Sequence, residues 1–403
     1  MAGTTITTEA GLLTRQYLDG LIELNDRSEG ILKRFKKVKG YRATGSGLYF
    51  GTRMRDNQGF GARAESGTLP TAGYQTYIQG YEVAMYQYYP VTITGPAEAR
   101  AQNGGGFLSD PLMDDIETGN ESLRKDMNRQ ACRAGDGIMA TTTNAGASAT
   151  SMTVNSTRHI SPGVTVEVYT TAGSVEIAAV VVSNVNPLTR TLTIADSSTW
   201  TLGSYVYRDA QYNAGTPLEI HGLKNLINNS TSATLHNINP STYFEWTSHV
   251  DATGGAISRD KLFKGNDYAE TFSGKVVNEF WMNRTTRNKL FMLVQPGINF
   301  DTPKDLEIAY NPGDNPLTFE GKVFCIDNDI FDGEIFGINW ESLGKIVEKE
   351  LGIRSAITGV GTTLIPATTT DTASGFLSIY QQNLILNRRA CWRLESGTTD
   401  YQF

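Results

Sequence analysis

Apolar residues change their spacing several times along the chain, and each change predicts a different kind of element. Between positions 12 and 24, leucines, an isoleucine and a tyrosine recur at helical spacing. From 41 to 94, short apolar pieces alternate with glycines and tyrosines, a pattern that favours extended chain. The stretch from Arg53 to Gly73 has almost no large apolar residues, so we predict a long projecting hairpin there.

One narrow apolar stripe predicts a long helix over residues 109–140. Ser109 or Asp110 can cap its first turn, and Pro111 occupies a position where a helix tolerates proline. At a rise of about 1.5 Å per residue, such a helix is roughly 45 Å long. The stripe consists of Leu112, Ile116, Leu123, Met127, Ala134 and Ile138.

Residues 141–216 have a composition of their own. They contain fifteen threonines, no lysine and no helical pattern. Runs of alternating valine, threonine and isoleucine predict four or more strands, separated by turn signals at Pro162-Gly163 and Asn186-Pro187. We therefore predict a small β-rich insertion, a barrel or a sandwich, that folds locally.

Residues 217–403 mix helical and strand patterns, so the fold class predicted for the whole chain is α+β. The predicted elements are a helix over Asp267–Val294, a pair of strands over Phe319–Asp327 and Glu334–Trp340, a short helix over Glu341–Leu351, and strand within Ser378–Glu395.

Charge and cysteine content narrow the functional classes. The formal net charge is -7 and the sequence pI about 5.3, which argues against a general nucleic-acid binder. Cys132, Cys325 and Cys391 are odd in number and widely spaced, so neither a disulfide framework nor a metal cluster is indicated. The N-terminus lacks the pattern of a signal peptide, and no apolar run reaches the length of a membrane span.

Catalytic motifs are not found in the sequence. His159, His221, His236 and His249 do not have the spacing of metal ligands, and no G-x-S-x-G or Walker motif occurs. The run Asp327–Glu334 is the most metal-like, but Phe331 occupies a would-be ligand position, so we favour a turn between two strands. We assign no catalytic, cofactor-binding or metal-binding residue, and we expect no enzyme activity.

The densest basic cluster lies at the end of the first forty residues. Its five cations are Lys33, Arg34, Lys36, Lys37 and Lys39. They can contact nucleic acid or an acidic partner, or they can form a solvated face. Arg53, Arg55 and Arg63 place further cations on the predicted hairpin, where guanidinium groups can form bidentate pairs with carboxylates of a neighbour.

The order of these parts resembles the tailed-phage major capsid proteins of the Hong Kong 97-like fold. A basic arm, a glycine-rich hairpin, a long helix and a mixed C-terminal region follow one another over nearly the whole chain. Local likenesses are Pro90–Thr94 before the long helix, the strands around 319–327 and 334–338, and the end from Gln382 to Leu394. The β-rich insertion is not part of the minimal fold.

The resemblance implies a layout for the chain. Its parts are an N-terminal arm at 1–40, an extended E-loop at 41–93, the spine helix of the peripheral domain at 94–140, the insertion domain at 141–216, and the axial domain with the remainder of the peripheral domain at 217–403.

The resemblance also implies a function. Hexamers and pentamers of one chain would tile an icosahedral head that encloses double-stranded DNA, with the protein located in the virion after assembly in the host bacterial cytoplasm. Expected partners are other copies, a scaffolding protein, the portal, a decoration or cement protein, and DNA through weak contacts, with no membrane. The alternatives are an encapsulin-type compartment shell, a β-rich fibre or adhesin, and an enzyme.

Lysine is absent between Tyr41 and Arg124. In one branch of the resembled family, a hairpin lysine attacks an asparagine of a neighbouring subunit and cross-links the shell. A protonated guanidinium is a poor nucleophile, so the hairpin arginines cannot replace that lysine. We therefore predict a shell that is held together without covalent bonds.

Overall fold

The computed structural model describes residues 30–38, 47–96, 111–213, 218–294, 318–353, 365–366, 369–395 and 397–398. The chain divides into two compact units. The smaller takes its described residues from Tyr89–Glu121 and Ile353–Leu377, and the larger from Glu29–Tyr88, Ser122–Gly352 and Ser378–Phe403. No helix among the described residues is long and apolar enough to cross a membrane.

Strands outnumber helices in the described ranges, in agreement with the predicted α+β class. The α-helices are α1 (Pro111–Cys132), α2 (Leu223–Leu226), α3 (Arg259–Ser273) and α4 (Arg284–Val294). The strands are β1 (Leu48–Arg55), β2 (Thr76–Glu82), β3 (Met85–Thr94), β4 (Ile138–Thr141), β5 (Gly146–Thr153), β6 (Thr165–Tyr169), β7 (Val175–Asn186), β8 (Thr191–Trp200), β9 (Tyr205–Arg208), β10 (His249–Asp251), β11 (Gly255–Ala256), β12 (Glu279–Met282), β13 (Thr318–Phe319), β14 (Lys322–Ile326), β15 (Ile335–Ile338), β16 (Leu343–Ile353), β17 (Ile365–Pro366), β18 (Thr372–Ile385), β19 (Trp392–Leu394) and β20 (Gly397–Thr398).

These strands form five sheets. Strands β1 and β2 pair in an antiparallel hairpin, and β11 pairs with β20. A six-stranded mixed sheet has the order β10-β19-β15-β12-β14-β13. Another sheet has the order β16-β18-β17, with β3 paired to β18. The last sheet has the order β4-β9-β6-β7-β8-β5 and contains the predicted insertion.

The core of the larger unit forms where α3 packs on the mixed sheet. Trp392 in β19 is 1% exposed and lies against Gly265 of α3 and Gly337 of β15, where any side chain would collide with its indole ring. The indole N–H donates to the Asn266 side chain at 3.0 Å, so the one polar atom of this ring is satisfied. Apolar residues of α3, β12 and β15 complete the cluster.

The insertion forms a closed barrel with its own core. Its six strands are antiparallel neighbours, and a bridge between Thr142 and Val154 joins the two ends of the sheet. One cluster of buried residues, from Met139 to Val206, fills the interior, and Trp200 within it is 1% exposed. The barrel begins at Ile138 and not at 141, because residues 138–141 pair with β9.

The long helix is shorter than the sequence pattern predicts. Helix α1 ends at Cys132, and Ala134 and Ile138 of the apolar stripe lie beyond it. Gly135 adopts a φ of 73°, a left-handed conformation that stops a right-handed helix, and the chain turns into β4.

Three predictions in the C-terminal half are corrected. The single helix over Asp267–Val294 is wrong, since α3 ends at Gly274 with φ 65°, and β12 separates it from α4. The helix over Glu341–Leu351 is also wrong, because these residues form most of β16. The strands near 319–327 and 334–340 are present, but they do not pair with each other. In the sheet β12 lies between β14 and β15 and pairs with both.

The smaller unit contains the end of β3, the start of α1, β17 and the start of β18. Strand β17 pairs with β18 through Ile365 and Ser374, and the Gly95 N–H donates to the Asp371 carbonyl at 3.1 Å. Gly119 in α1 lies under the Tyr89 ring, which leaves no room for a side chain at that position. This glycine within α1 therefore has a packing role.

Candidate interaction surfaces

The described part of the basic arm is fixed by its apolar residues and its backbone. Ile31, Leu32 and Phe35 are all less than 10% exposed. The Ile31 N–H donates to Asp327 Oδ2 at 3.0 Å, and the Leu32 N–H donates to Asn128 Oδ1 at 3.1 Å. Buried polar side chains from two distant parts of the chain therefore hold the first turn of this segment.

The acidic run Asp327–Glu334 is a turn between β14 and β15, as the sequence analysis favours. Asp329 accepts hydrogen bonds from Arg158 and His159, both at 2.7 Å. Burial raises the pKa of Asp329, but the bonds and charges of His159 and Arg158 outweigh it and hold the pKa well below its usual range. Burial and the Asp329 charge raise the pKa of Asp327. The carboxylates of Asp327 and Asp329 therefore accept hydrogen bonds from groups of the fold itself.

The four described cations of the basic cluster, Lys33, Arg34, Lys36 and Lys37, are exposed, and ion pairs within the chain are seen for Arg34 and Lys37 among them. Arg34 pairs with Glu279 at 2.8 Å, and Lys37 pairs with Glu350. Lys36 is exposed, and its carbonyl accepts the Lys345 N–H at 2.9 Å, so the arm adds a short strand to β16. Lys33 is exposed as well, and Lys39 lies outside the described residues.

The hairpin arginines also find partners within the chain. Arg55 donates to both carboxylate oxygens of Glu245, at 2.6 and 3.3 Å. Arg53 lies 3.4 Å from Asp56, and Arg63 donates to the Thr68 carbonyl at 2.9 Å. Arg55 therefore fastens the hairpin to the segment before β10, while Arg53 and Arg63 stabilise the hairpin itself. All three remain on its exposed surface.

Large apolar side chains on the outer half of the hairpin are exposed. Phe60 is 76% exposed, Leu69 81%, Tyr74 86% and Tyr77 65%. Single exposed apolar residues are ordinary, but four of them on β2 and on the connection between β1 and β2 form a candidate interaction surface.

The root of the hairpin contains a group that the sequence analysis missed. Glu82, the last residue of β2, lies 2.5 Å from His236 Nδ1 and 3.4 Å from His221 Nε2. Burial raises the pKa of Glu82, but the hydrogen bonds and charges of the two histidines outweigh burial and lower the pKa to about 2. These three residues are the group of potential metal ligands found among the described residues. Their wide separation in sequence left no local signal.

A cleft of about 820 Å³ lies between the barrel and the turn from Asn328 to Glu334. Some of its charged side chains are paired: Lys224 contacts Glu334 at 2.7 Å, and Arg158 contacts Asp329. Arg133 stacks on the Phe331 ring with 4.4 Å between the guanidinium carbon and the ring centre. These contacts join the barrel side of the cleft to the turn between β14 and β15.

No protein-family model and no curated protein sequence matches this chain. Solved structures do match. A chain of the Cyanophage A-1(L) capsid asymmetric unit is 12% identical, with 98% of this chain and 100% of that chain covered and a TM-score of 0.58. The capsid of a native GTA particle is 10% identical, with coverages of 99% and 100% and a TM-score of 0.52. The SrpI encapsulin from Synechococcus elongatus is 10% identical, with coverages of 100% and 99% and a TM-score of 0.49.

The similarity to the two capsid structures extends over almost the whole length of both chains. The chain therefore has the Hong Kong 97-like fold of phage capsid proteins.

Proposed function

We propose that this chain is the major capsid protein of a tailed bacteriophage, which assembles as hexamers and pentamers into the icosahedral head around double-stranded DNA. The observation that carries the proposal is the end-to-end similarity to the Cyanophage A-1(L) capsid chain. The exposed apolar side chains of the hairpin support it, because an isolated subunit leaves them uncovered. Function then resides in surfaces that contact other copies.

In this proposal the sequence-based layout is kept with one change. Residues 1–40 form the N-terminal arm, 41–93 the E-loop, and 217–403 the axial domain with the rest of the peripheral domain. The spine helix is α1 and ends at Cys132, and the insertion domain begins at Ile138. The scaffolding protein, portal and decoration protein are proposed partners, and DNA is held by weak contacts on the inner face. The virion is the proposed location, reached after assembly in the host cytoplasm.

Electron microscopy of particles from cells that express the chain tests this proposal. We expect angular shells of uniform diameter, and DNA-filled heads when the packaging components are present. Shells that never take up DNA, even with those components, would favour an encapsulin-type compartment. Fibres, or monomers at every concentration, would contradict a shell function altogether.

Mature particles are expected to release a single monomer band near 44 kDa when boiled in detergent under reducing conditions. The hairpin has no lysine, and its arginines form ion pairs or carbonyl contacts within the chain. Non-covalent contacts dissociate in hot detergent, whereas a cross-linked shell gives a ladder of covalent oligomers. Such a ladder would show that the inference from the missing amine is wrong.

Neutralising the five arm cations Lys33, Arg34, Lys36, Lys37 and Lys39 with glutamine is expected to impair assembly or packaging and to leave the subunit folded. Exposed ion pairs contribute about 1 kcal/mol or less, so loss of the Arg34 and Lys37 pairs changes stability little. Particle yield and DNA content per particle are the measurements. The control neutralises the exposed cations Arg259, Lys264, Lys275 and Arg284. Equal yields and DNA contents in both variants would contradict a role for the arm.

A further inference from the structure

At the hairpin root, the neighbours of His221 and His236 determine which ring nitrogen donates a hydrogen bond and which accepts one. His236 Nε2 faces the Ile385 N–H at 3.1 Å, so this nitrogen must accept, and Nδ1 carries the proton that is donated to Glu82. His221 Nδ1 faces the Asn225 amide at 3.0 Å, which leaves Nε2–H to point at the other Glu82 oxygen. The Glu82 carboxylate therefore faces a ring nitrogen of each histidine, one at each of its two oxygens.

This arrangement disfavours a metal ion, although two histidines and a glutamate are common zinc ligands. A neutral His236 that bound a metal through Nδ1 would carry its proton on Nε2. That N–H would then face the N–H of Ile385, and two donors would oppose each other in a buried site. The hydrogen-bond pattern thus fits protons and not a metal ion.

The backbone links the same group to the position of the hairpin. The Tyr81 N–H donates to the His236 carbonyl at 3.0 Å, one residue before Glu82. Phe50 of β1 packs edge-on against the His236 ring with 5.8 Å between ring centres. His236 has a φ of 53°, so a non-glycine residue holds a left-handed conformation in order to make these contacts.

A second proton on His236 has no acceptor. The side chain is fully buried, and its remaining lone pair already accepts from Ile385. The charged and titratable groups that face the ring are Glu82, His221 and Arg388. Arg388 is itself a buried cation, bound to the carbonyls of Leu226, Trp246 and Asn225. Protonation therefore breaks a hydrogen bond and brings two buried cations close together.

We propose that Glu82, His221 and His236 form a proton-sensitive latch that holds the root of the hairpin while His236 is neutral and releases it when His236 is protonated. The latch belongs to the single subunit, so its test does not require that the chain assembles.

The direction of the pH dependence follows from the environment of His236. Burial lowers its pKa below the ordinary 6.5, with further lowering by His221 and Arg388, although Glu82 raises it. In the released root the ring is solvated and takes up a proton at the ordinary value. The closed root is therefore fully favoured above pH 6.5 and loses stability as the pH falls below it. Protonation of Glu82 adds a second loss between its ordinary pKa of 4.5 and about 2.

Amide hydrogen exchange of the full-length chain tests the latch. We compare about pH 7.5 with about pH 5.5, on either side of the ordinary histidine value, and correct for intrinsic exchange rates. The corrected exchange of β1 and β2 is expected to rise by up to about tenfold at the lower pH, because that pH lies about one unit below the ordinary histidine pKa of 6.5, at which the solvated ring of the released root takes up its proton. The barrel strands are the internal reference, and their corrected rates are expected to stay constant. A barrel that opens equally would overturn the proposal.

Two variants separate the latch from general acid sensitivity. His236→Gln cannot take up a proton and still offers an oxygen to Ile385, so we expect its hairpin exchange not to change with pH. His249→Gln removes a histidine that stacks on Tyr268 away from the hairpin, and we expect it to keep the dependence of the unmodified chain. Equal pH dependence in His236→Gln and the unmodified chain would overturn the proposal.

A measurement without substitution covers the case in which His236→Gln does not fold. Ring-nitrogen NMR of histidine-labelled protein is expected to show His236 neutral, with its proton on Nδ1, through about pH 6. A ring that is charged at neutral pH would overturn the latch. Stoichiometric Zn²⁺ is expected to leave hairpin exchange unchanged, and strong protection by Zn²⁺ would replace the latch with a metal site.

Discussion

Replacement of Arg129 by methionine is expected to lower the free energy of unfolding by about 3 to 5 kcal/mol, because the partly buried Asp126 carboxylate loses its counter-charge and the buried Glu219 carboxyl loses its donor. Arg129 is 1% exposed, donates from Nε to Asp126 at 3.0 Å, and also bonds Glu219. Methionine has a similar length, so the change removes the charge and the donors with little loss of volume.

This network connects helix α1 to the first and last strands of the barrel in chain order, β4 and β9. The Gly137 N–H, just before β4, donates to Glu219 at 3.2 Å, and Arg208 at the end of β9 lies 3.3 Å from Asp126. Burial raises the pKa of Asp126, but Arg129 and Arg208 outweigh it and hold the pKa well below its usual range. Burial raises that of Glu219, so we expect Asp126 to hold the negative charge opposite Arg129.

Urea unfolding of the dissociated subunit measures the change, with Arg208→Met as the matched control. Arg208 contacts the same Asp126 oxygen as Arg129, but its side chain is 41% exposed, so its loss should cost about 1 kcal/mol or less. The Arg129 variant is also expected to lose the stability that Asp126 supplies above its ordinary pKa of 3.8. Equal costs for the two variants would contradict the assignment of the buried counter-charge to Arg129.

Removal of the outer hairpin, residues 56–75, is expected to leave a folded subunit that forms no particles. Arg55 and Thr76 are register partners in the β1–β2 ladder, so an Asn-Gly turn can join them and preserve the strands. The deletion removes Phe60, Leu69 and Tyr74, whose side chains are exposed and stabilise nothing within the subunit. In a shell, these side chains can pack against neighbouring copies and become buried there.

Particle yield by size exclusion and negative-stain microscopy is the measurement, and thermal unfolding of the subunit shows whether folding is intact. A variant that keeps the full hairpin but changes Phe60, Leu69 and Tyr74 to serine separates apolar contacts from hairpin length. We expect it to assemble poorly as well. Normal shells from the deletion variant would exclude the outer hairpin from the assembly contacts and would count against the proposed function.

Several features of this protein are determined by local sequence. The glycine- and tyrosine-rich stretch forms the predicted extended hairpin, because its residues have few apolar partners and favour strand. Helix α1 is present over the part of the apolar stripe that precedes Arg133. The threonine-rich insertion forms an all-β module because apolar residues alternate with polar ones in strands such as β6 and meet in one core. In each case the pattern lies within a short window of the chain.

Other features depend on partners that are distant in sequence. Residues 343–351 alternate weakly, and they form β16 because β18 and the arm at Lys37 supply hydrogen-bond partners. Phe280 lies in a strand at the centre of the mixed sheet, where β14 and β15 flank it on both sides. A short apolar run has the same local pattern in a buried helix and in a central strand, so only the pairing decides between them.

The hairpin root shows the same division most clearly. In the sequence, neither His221 nor His236 has a neighbouring residue that indicates a site, and Glu82 ends an ordinary strand. His236 and Glu82 are 154 positions apart, and Ile385 is 149 positions from His236. Chain folding brings a carboxylate, two rings and one backbone N–H within hydrogen-bond distance in a buried site. Local sequence determined the hairpin, and the tertiary structure alone decided what holds its root, because hydrogen bonds in a buried site depend on proximity in space and not on order along the chain.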